Sequence, residues 1–579
     1  MNKVLLIVRV LIRGGIPDTP LDFYSSFPIE RGGLVWVSIG SSTRVALVLE
    51  TLPVRHARSR VRGSRFKLKS IKSTTGIVLA DDVINILLNY SRHQALPLGK
   101  VLDLVLPRLN TKPKPYQITI KLEPRAEIAS PNDLLGNYEH RKAKYIDYFK
   151  AYCKKNSERM IILSPNINVA KDLAAHFRVN ELACEIRGYG SSKEYLAKAS
   201  DNNNLNINKI LIIHPSELLF NVSEATLMIV ERAGAPYGSH KLLGYSYKSF
   251  TNYLIANTKL PIFYADTMLT LERAQVSLSG MLPPIEYDLI EKEQVIGKLT
   301  SSLVGQLNES QSSLLIVIPN SDLGHILVCK ECRSLFSCTK CNFPLSLNEK
   351  KREGRFYNCG RCRTSYDKST KCFTCDSWNI KVTSPGRKLL EREIRKVIAN
   401  RQIALTFVTY NSLSSITKRY DNSIVFGSDY LIGGKYYRSR ETLLYKLLSI
   451  RSLTDNQMIL ETKLKNCEFI DKISRGDYIT IIEEELALRK HFGYPPYGVI
   501  VKLSMAPSSI GIELLAFTRE HLSDCEPIIY QAKTTASMDA TQYVILKYRE
   551  AMWPDIKLLE FLKKINSKVK LEVNPNHLR

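Results

Sequence analysis

The 579-residue sequence lacks any apolar run of the roughly 18 residues that a membrane-spanning helix needs. Its first stretch, MNKVLLIVRVLIRGG, is apolar, but Arg9 interrupts it and no small-residue cleavage site follows. We therefore interpret this stretch as a first β-strand rather than a signal peptide. Internal repeats are also missing, as is a basic amphipathic helix with an aromatic face, so we expect no membrane partner.

Acidic residues are few relative to basic ones. The sequence has 56 Asp and Glu against 82 Lys and Arg, which gives a formal net charge of +26. A field of this sign attracts polyanions, and a phosphate backbone is the commonest polyanion inside a cell. The hydrophobic fraction of 44% and the charged fraction of 24% are ordinary for soluble globular proteins, and the length predicts several domains.

Cysteine is scarce outside one segment. Four of the twelve cysteines are scattered singly, whereas the other eight form four C-x-x-C pairs between residues 329 and 375. Both sulfurs of such a pair can face one ion, and tetrahedral Zn²⁺ needs four ligands, so we predict two closed structural zinc sites. The missing secretory signal argues against a disulfide framework, and the spacing is not that of a ferredoxin iron–sulfur cluster.

Spacing alone leaves the assignment of the pairs to the two ions open. Sequential pairing groups residues 329, 332, 338 and 341, and then 359, 362, 372 and 375. Nested pairing instead joins the first pair to the last and encloses the second and third. Both schemes give two complete sets of four sulfur ligands.

The order C-x2-C-x5-C-x2-C, a longer gap, then C-x2-C-x9-C-x2-C resembles the zinc module of the PriA family, the primosomal proteins that restart stalled replication forks. In that family the module is inserted in the second helicase lobe and the pairing is nested. The resemblance therefore implies two zinc sites, the first formed by Cys329, Cys332, Cys372 and Cys375, and the second by Cys338, Cys341, Cys359 and Cys362.

Further segments extend the resemblance over nearly the whole chain. SDYLIGGKYYRSRETLLYKLL resembles a family segment through Asp429, Arg438 and Glu441, and EEELALRKHFGYPPYG resembles another through Arg489 and the two prolines that follow. GGLVWVSIGSSTRVALVLE is similar to part of the family's N-terminal domain, which binds 3′ DNA ends. There the resemblance places Phe23, Gly40 and Lys69 near the family's 3′-end pocket, with Tyr24 at the position of an aspartate.

The nucleotide motifs of the family are degenerate in this chain. A working phosphate loop, G-x-x-x-x-G-K-[ST], needs glycines that let backbone N–H groups approach the phosphates. It also needs a lysine that binds the phosphates and a hydroxyl that binds the metal ion. Here the matching residues are GNYEHRKA, which keep Gly136 and Lys142 but place Arg141 at the second glycine and Ala143 at the hydroxyl. Val230 stands at the metal-binding aspartate, and Glu231 follows it. Thr267 is what remains of a third motif, and no arginine-finger segment is recognisable. We therefore expect no catalytic residues and no ATP cofactor.

The predicted class is an α/β multidomain fold with two degenerate RecA-like helicase lobes. The predicted domains are a β-rich 3′-DNA-binding domain (1–106), a linker without the family's winged helix (107–127), lobe 1 (128–290), lobe 2 (291–480) with the zinc module at 328–378, and a small α+β C-terminal domain (481–579). Alternating short apolar strands and helices in lobe 1 favour a parallel sheet.

A basic segment, RHARSRVRGSRFKLKSIK, spans residues 55 to 72 and contains no acid. Three of its arginines recur at every second residue, so in a strand they would project from one face. Arginine matches phosphate oxygens well, although a solvated loop remains the alternative. The candidate DNA-binding residues are Phe23, Gly40, Arg55, Arg58, Arg60, Arg62, Arg65, Lys67 and Lys69.

The resulting hypothesis is a PriA-like replication restart protein of the bacterial cytoplasm. It would bind branched DNA at stalled forks and recruit primosome components, with single-stranded-DNA-binding proteins as further partners by resemblance, and would do so without ATP-driven unwinding. Two alternatives stay open: an active ATP-dependent 3′–5′ DNA helicase with a divergent nucleotide site, and a zinc-ribbon RNA-binding factor.

Overall fold

A computed structural model describes most of the chain. It covers residues 5–14, 20–57, 68–106, 118–120, 132–155, 158–189, 210–222, 225–233, 247–257, 260–268, 270–271, 286–289, 313–318, 324–339, 345–350, 354–359, 364–385, 387–398, 403–410, 412–428, 437–462, 467–506, 509–522, 525, 527–533, 540–565 and 569–575. These residues form two compact units. The first comprises Met1–Leu134 and Glu139–Ala265, and the second comprises Leu135–Tyr138 and Asp266–Arg579.

The first unit begins with a six-stranded sheet in the order β2-β1-β4-β3-β5-β6. Its strands pair antiparallel except β5 and β6, which run parallel. Alternating apolar residues bury one face, with Val8, Val35 and Val48 at its centre. The elements are β1 Leu6–Ile12, β2 Leu21–Ser25, β3 Gly33–Ile39, β4 Ser42–Pro53, β5 Ser73–Leu79, α1 Asp81–His93, α2 Leu98–Val105 and β6 Ile118–Ile120.

A second sheet in the first unit has the order β7-β12-β11-β8-β10-β9, and the registered pairs among β8 to β12 are parallel. Four of its strands are buried along their whole length, as expected where helices cover both faces. The elements are β7 Asn132–Leu135, α3 Tyr138–Tyr152, β8 Met160–Leu163, α4 Ile167–Val179, β9 Cys184–Arg187, β10 Ile210–Ile213, α5 Leu218–Asn221, β11 Leu227–Glu231, α6 Tyr247–Ala256 and β12 Ile262–Asp266.

The second unit contains a parallel sheet and an antiparallel sheet, interleaved along the chain. The parallel sheet has the order β13-β22-β21-β14-β20, and the antiparallel sheet has the order β18-β17-β16-β15-β19. The elements are β13 Glu286–Leu289, β14 Ser313–Ile318, β15 Gly324–Cys329, β16 Leu345–Lys350, β17 Gly354–Cys359, β18 Ser365–Asp367, β19 Ile380–Pro385, α7 Arg387–Ile398, β20 Ala404–Thr409, β21 Asn422–Val425, α8 Ser439–Ser452, β22 Met458–Thr462, α9 Glu468–Arg475 and α10 Tyr478–Phe492.

The C-terminal part of the second unit is a four-stranded antiparallel sheet with two helices. The strand order is β24-β25-β23-β26, and Val501 and Leu546 are buried in its core. The elements are β23 Gly498–Met505, α11 Ser509–His521, β24 Ile528–Lys533, β25 Ala540–Arg549, α12 Ile556–Ile565 and β26 Lys570–Val573. The predicted mixed α/β multidomain class is confirmed. Within the described residues, no helix is long and apolar enough to cross a membrane.

Two short strands lie differently from the predicted boundaries. Ile118–Ile120, inside the stretch interpreted as a linker (107–127), pairs with β5 as the edge strand of the first sheet. Glu286–Leu289, placed in lobe 1 (128–290), pairs with β22 of the parallel sheet in the second unit instead. Strands of three or four residues carry too little periodicity to be assigned from sequence, and their partners lie far along the chain.

Candidate functional site

Four cysteine sulfurs meet at one end of the antiparallel sheet. The Sγ atoms of Cys329, Cys332, Cys372 and Cys375 all lie within 4.8 Å of one another. The Sγ–Sγ distance is 3.5 Å between Cys329 and Cys375 and 3.6 Å between Cys332 and Cys372. Metal–sulfur bonds of about 2.3 Å give tetrahedral edges of about 3.8 Å, whereas a disulfide needs about 2.05 Å. The four sulfurs therefore fit a closed tetrahedral metal site.

This grouping is the nested one. The first C-x-x-C pair lies at the end of β15 and the last lies just before β19, and these two strands are hydrogen-bonded neighbours. Antiparallel pairing thus brings together cysteines that are more than forty positions apart in the sequence. Sequential pairing, which would join Cys329 to Cys338, does not describe this cluster.

Both contributing turns have the same backbone form. The Cys329 amide donates to the Ser334 carbonyl (3.0 Å), and the Cys372 amide donates to the Ser377 carbonyl (2.9 Å). The residues after each second cysteine, Arg333 and Asp376, have φ angles of 58° and 54°. Non-glycine residues rarely adopt this left-handed region, so the repeated conformation reflects tight turns that aim two sulfurs at one point.

The shifted pKa values of the cysteine thiols are also consistent with a bound cation. Burial opposes ionisation of Cys372, but hydrogen bonds from the Ser334 hydroxyl and the Thr374 amide outweigh it and lower the thiol pKa to about 6. The Ser377 amide acts to lower the pKa of Cys375, yet the neighbouring Cys332 sulfur and burial raise it to about 12. Crowded thiolates repel one another, so all four can ionise together only around a positive ion.

The second predicted zinc set is only partly described. Cys338 and Cys359 are both buried in the core of the antiparallel sheet, and the Cys359 amide donates to the Thr364 carbonyl (3.0 Å), five residues on, as in the two turns above. Cys341 and Cys362 lie outside the described residues. The second site therefore stays a prediction.

Residues of the predicted degenerate nucleotide site contact one another in the structure. Arg141, which replaces a loop glycine, places Nη2 2.7 Å from Oε1 of Glu231, and the two side chains are 2% and 0% exposed. The Tyr145 hydroxyl donates to the other carboxylate oxygen of Glu231. Burial, together with the charge of Glu231, raises the pKa of Tyr145 well above its usual value, so this hydroxyl keeps its proton.

Other residues of the GNYEHRKA segment also have partners within the protein. Lys142 Nζ lies 2.9 Å from a carboxylate oxygen of Glu139 and 3.1 Å from one of Asp172. Burial acts to lower the pKa of Lys142, but the hydrogen bonds that its ammonium donates to these two carboxylates outweigh burial and raise the pKa. Gly136 precedes α3, and its amide donates to the Asp266 carbonyl (3.2 Å). Val230, at the position of the metal-binding aspartate, is buried.

In the second unit, two segments that carried the resemblance are joined by a buried ion network. Arg489, only 1% exposed, places Nη2 2.8 Å from Oε2 of Glu441, and Arg438 Nη1 lies 3.1 Å from the same oxygen. The Leu271 amide donates to the other oxygen of Glu441 (2.9 Å), and Arg489 donates to the Pro495 carbonyl (3.3 Å). Asp429 lies outside the described residues. Sequence analysis identified Arg438, Glu441 and Arg489 by resemblance, but nothing in the sequence indicated that these side chains are in contact.

The candidate DNA-binding residues in and near the first sheet differ in solvent exposure. The Phe23 side chain is buried in the core, so it does not reach solvent. Lys69 is exposed, and its carbonyl accepts a hydrogen bond from the Tyr24 amide (3.0 Å). Gly40 occupies the exposed turn between β3 and β4, and Arg55 is exposed after β4. The others, Arg58, Arg60, Arg62, Arg65 and Lys67, lie outside the described residues.

Several curated proteins are similar to the chain. The Replication restart protein PriA of Borreliella burgdorferi is 26% identical over 243 residues, which is 37% of this chain and 36% of that protein. The Probable replication restart protein PriA of Mycobacterium leprae is 22% identical over 204 residues, 32% of this chain and 31% of that protein. The PriA of Buchnera aphidicola subsp. Schizaphis graminum is 21% identical over 245 residues, 36% and 34% respectively. The chain thus matches about a third of the length of each relative.

No protein-family model matches the chain. Among solved structures, that of the Mycobacterium smegmatis helicase Lhr bound to ssDNA and AMP-PNP covers 62% of this chain and 46% of its own, with 9% identity and a TM-score of 0.30, which is too low to carry an argument. The sequence matches show that the chain is PriA-like: it is similar to proteins named replication restart protein PriA over about a third of their length.

Proposed function

We propose that the chain is a replication restart protein that binds branched DNA at stalled forks and recruits primosome components without ATP-driven unwinding. The observation that carries this proposal is the nested cluster of Cys329, Cys332, Cys372 and Cys375, formed in a chain whose relatives are named replication restart proteins. The proposed setting is the bacterial cytoplasm, with single-stranded-DNA-binding proteins among the partners.

The metal in this proposal is zinc, with two ions per chain. Four sulfur donors at tetrahedral separations favour Zn²⁺, and a site with four protein ligands leaves no open position for substrate. The ions would therefore hold the fold of the antiparallel sheet and take no part in chemistry. The second ion would use the cysteine pairs that begin at Cys338 and Cys359.

The proposal excludes ATP hydrolysis because the nucleotide-site residues satisfy one another. Phosphoryl transfer relies on positioned positive charge and a bound metal ion. Here Arg141 is neutralised by Glu231, Lys142 lies between two acids, and Val230 offers no metal ligand.

DNA-stimulated ATPase assays test this directly. We expect turnover at background level, and we expect Lys142→Ala to leave it unchanged, because the lysine is paired with Glu139 and Asp172. A turnover in the usual range of about 1–100 s⁻¹ that Lys142→Ala abolishes would establish the active-helicase alternative instead.

The proposed DNA affinity rests on phosphate contacts. With a formal charge of +26, the chain should release counterions on binding, so its affinity should fall steeply as salt rises. Replacing Arg58, Arg60 and Arg62 together by Ala should reduce the slope of log K against log salt by up to about three, roughly one per lost contact.

Fluorescence anisotropy at several salt concentrations would measure that slope. The control is Arg387→Ala, Lys388→Ala and Arg392→Ala, which removes the same charge from exposed residues that pair with acids on or near α7. Equal slopes for the two triple variants would mean that the basic segment is only a solvated loop.

The decisive binding experiment uses a fork with a nascent 3′ end. We expect tight binding that is the same with and without ATP and weaker binding to a fork whose 3′ end is blocked. Structured RNA serves as the competitor. If RNA displaces the fork DNA at equal concentration, the chain is better described as an RNA-binding factor.

A further inference from the structure

The cysteine module is defined here as residues 324–385, and two of its described aromatic side chains are exposed. Trp378 is 63% exposed and Phe373 is 45% exposed. Phe373 lies between Cys372 and Cys375, and Trp378 follows Cys375 by three residues. An exposed aromatic ring offers a large flat apolar face, and such rings are enriched at binding surfaces.

The backbone that carries the two rings is held in place. Ile380 donates to the Trp378 carbonyl (2.9 Å), and Lys330 donates to the carbonyl of the next residue, Asn379 (2.8 Å). Phe373 stacks on the buried Phe336, with ring centroids 5.1 Å apart and an interplanar angle of 10°. The exposure of both rings thus follows from an ordered turn. A surface arranged before binding loses less entropy when a ligand docks.

Positive charge accompanies the rings. The Lys371 ammonium lies 4.9 Å from the centre of the Trp378 ring, and Lys330 and Arg333 are exposed in the facing turn. Two acidic residues, Glu331 and Asp376, are also exposed near the rings. Glu331 accepts a hydrogen bond from Asn379 Nδ2 (3.0 Å), and Asp376 directly follows Cys375. Across residues 324–385 the sequence has twelve Lys and Arg against five Asp and Glu.

Exposed aromatic faces beside cations are what single-stranded nucleic acid requires, because bases stack on the rings while cations attract the phosphates. We propose that Trp378 and Phe373 form a stacking platform for unpaired bases of single-stranded DNA, with Lys371 on the adjoining phosphate. This inference rests on the proposed function and adds the place where the unpaired strand of a fork is held.

Intrinsic fluorescence offers a selective test. The chain has three tryptophans, and the other two, Trp36 and Trp553, are each 7% exposed. Stacking of a base on an indole quenches its emission, so titration with oligo-dT should quench the exposed component. Trp378→Phe should remove that quenching and keep most of the affinity. Trp378→Ala should weaken oligo-dT binding about tenfold, the usual effect of losing one stacked base.

Matched controls separate this inference from the proposed function. Ile556→Ala removes an exposed apolar side chain (69% exposed) from α12 and should leave oligo-dT affinity unchanged. Metal content equal to that of the unchanged chain shows that each variant keeps its module folded. Oligo-dT binding without quenching, unchanged affinity in Trp378→Ala, or quenching by oligo-U alone would each overturn the platform. If the unchanged chain does not bind forked DNA, the proposed function is overturned as well.

Discussion

Removal of the proposed zinc ions will unfold the cysteine module, residues 324–385. Its core is small, and two of its members are Cys338 and Cys359, which the nested scheme makes metal ligands. A module of this size buries too little apolar surface to fold without a staple. Structural zinc contributes roughly 10–16 kcal/mol of binding free energy to such folds. We therefore expect a strong chelator to release the ions and expose the module to protease.

Elemental analysis and limited proteolysis measure this outcome. Protein purified without added metal should hold about two zinc ions per chain. Cys372→Ser should lose the first ion, whereas Cys467→Ser, outside the cluster, should keep both. A ratio near one would contradict the two-site scheme, and iron with visible absorbance would contradict zinc. Equal protease resistance before and after chelation would show that the module folds without metal.

Glu231→Ala will destabilise the first unit by about 3–5 kcal/mol, the usual cost of removing one partner from a buried ion pair. The reason is Arg141, which is buried and has the Glu231 carboxylate 2.7 Å from its guanidinium. Tyr145 loses its acceptor in the same variant, which adds a buried unsatisfied hydroxyl. Urea denaturation followed by circular dichroism would measure the change in unfolding free energy.

Two variants serve as controls for this measurement. Arg141→Met with Glu231→Gln removes both charges, keeps an acceptor for Tyr145, and should cost much less than Glu231→Ala. Lys144→Ala breaks an accessible ion pair with Asp147 on the same helix and should cost under about 1 kcal/mol. If Glu231→Ala costs no more than Lys144→Ala, the pair is not a structural element of the sheet.

Sequence analysis predicted the features that depend on local spacing. The four C-x-x-C pairs indicated a metal site, and alternating apolar segments indicated an α/β fold. The choice of nested grouping came from resemblance, because only the antiparallel pairing of β15 with β19 brings Cys329 near Cys375. Spacing carries no information about which distant strands pair.

The Arg141–Glu231 pair was beyond prediction for a similar reason. The two residues are 90 positions apart. In the sequence, Arg141 stood out only as a departure from a nucleotide motif, and Glu231 only as a remnant of another. Their contact depends on the tertiary packing that brings α3 to Glu231 at the end of β11. Phe23 shows a further limit: resemblance placed it near the family's DNA pocket, and only the structure shows that its side chain packs in the core of the first sheet.

The pairing of Gly324 with Pro385 puts the entry and exit of the module side by side. The module lies within the connection from β14 to β20, which are parallel neighbours in one sheet. A flexible insert would add loop-closure entropy that grows with its length, by about 0.6 kcal/mol per doubling. A folded insert whose two ends adjoin adds almost no loop-closure entropy. The connection from β14 to β20 therefore has the entropic cost of a short crossover that contains α7. Once the module has folded, residues that are distant in sequence are close along the effective chain, which favours fast assembly of the sheet.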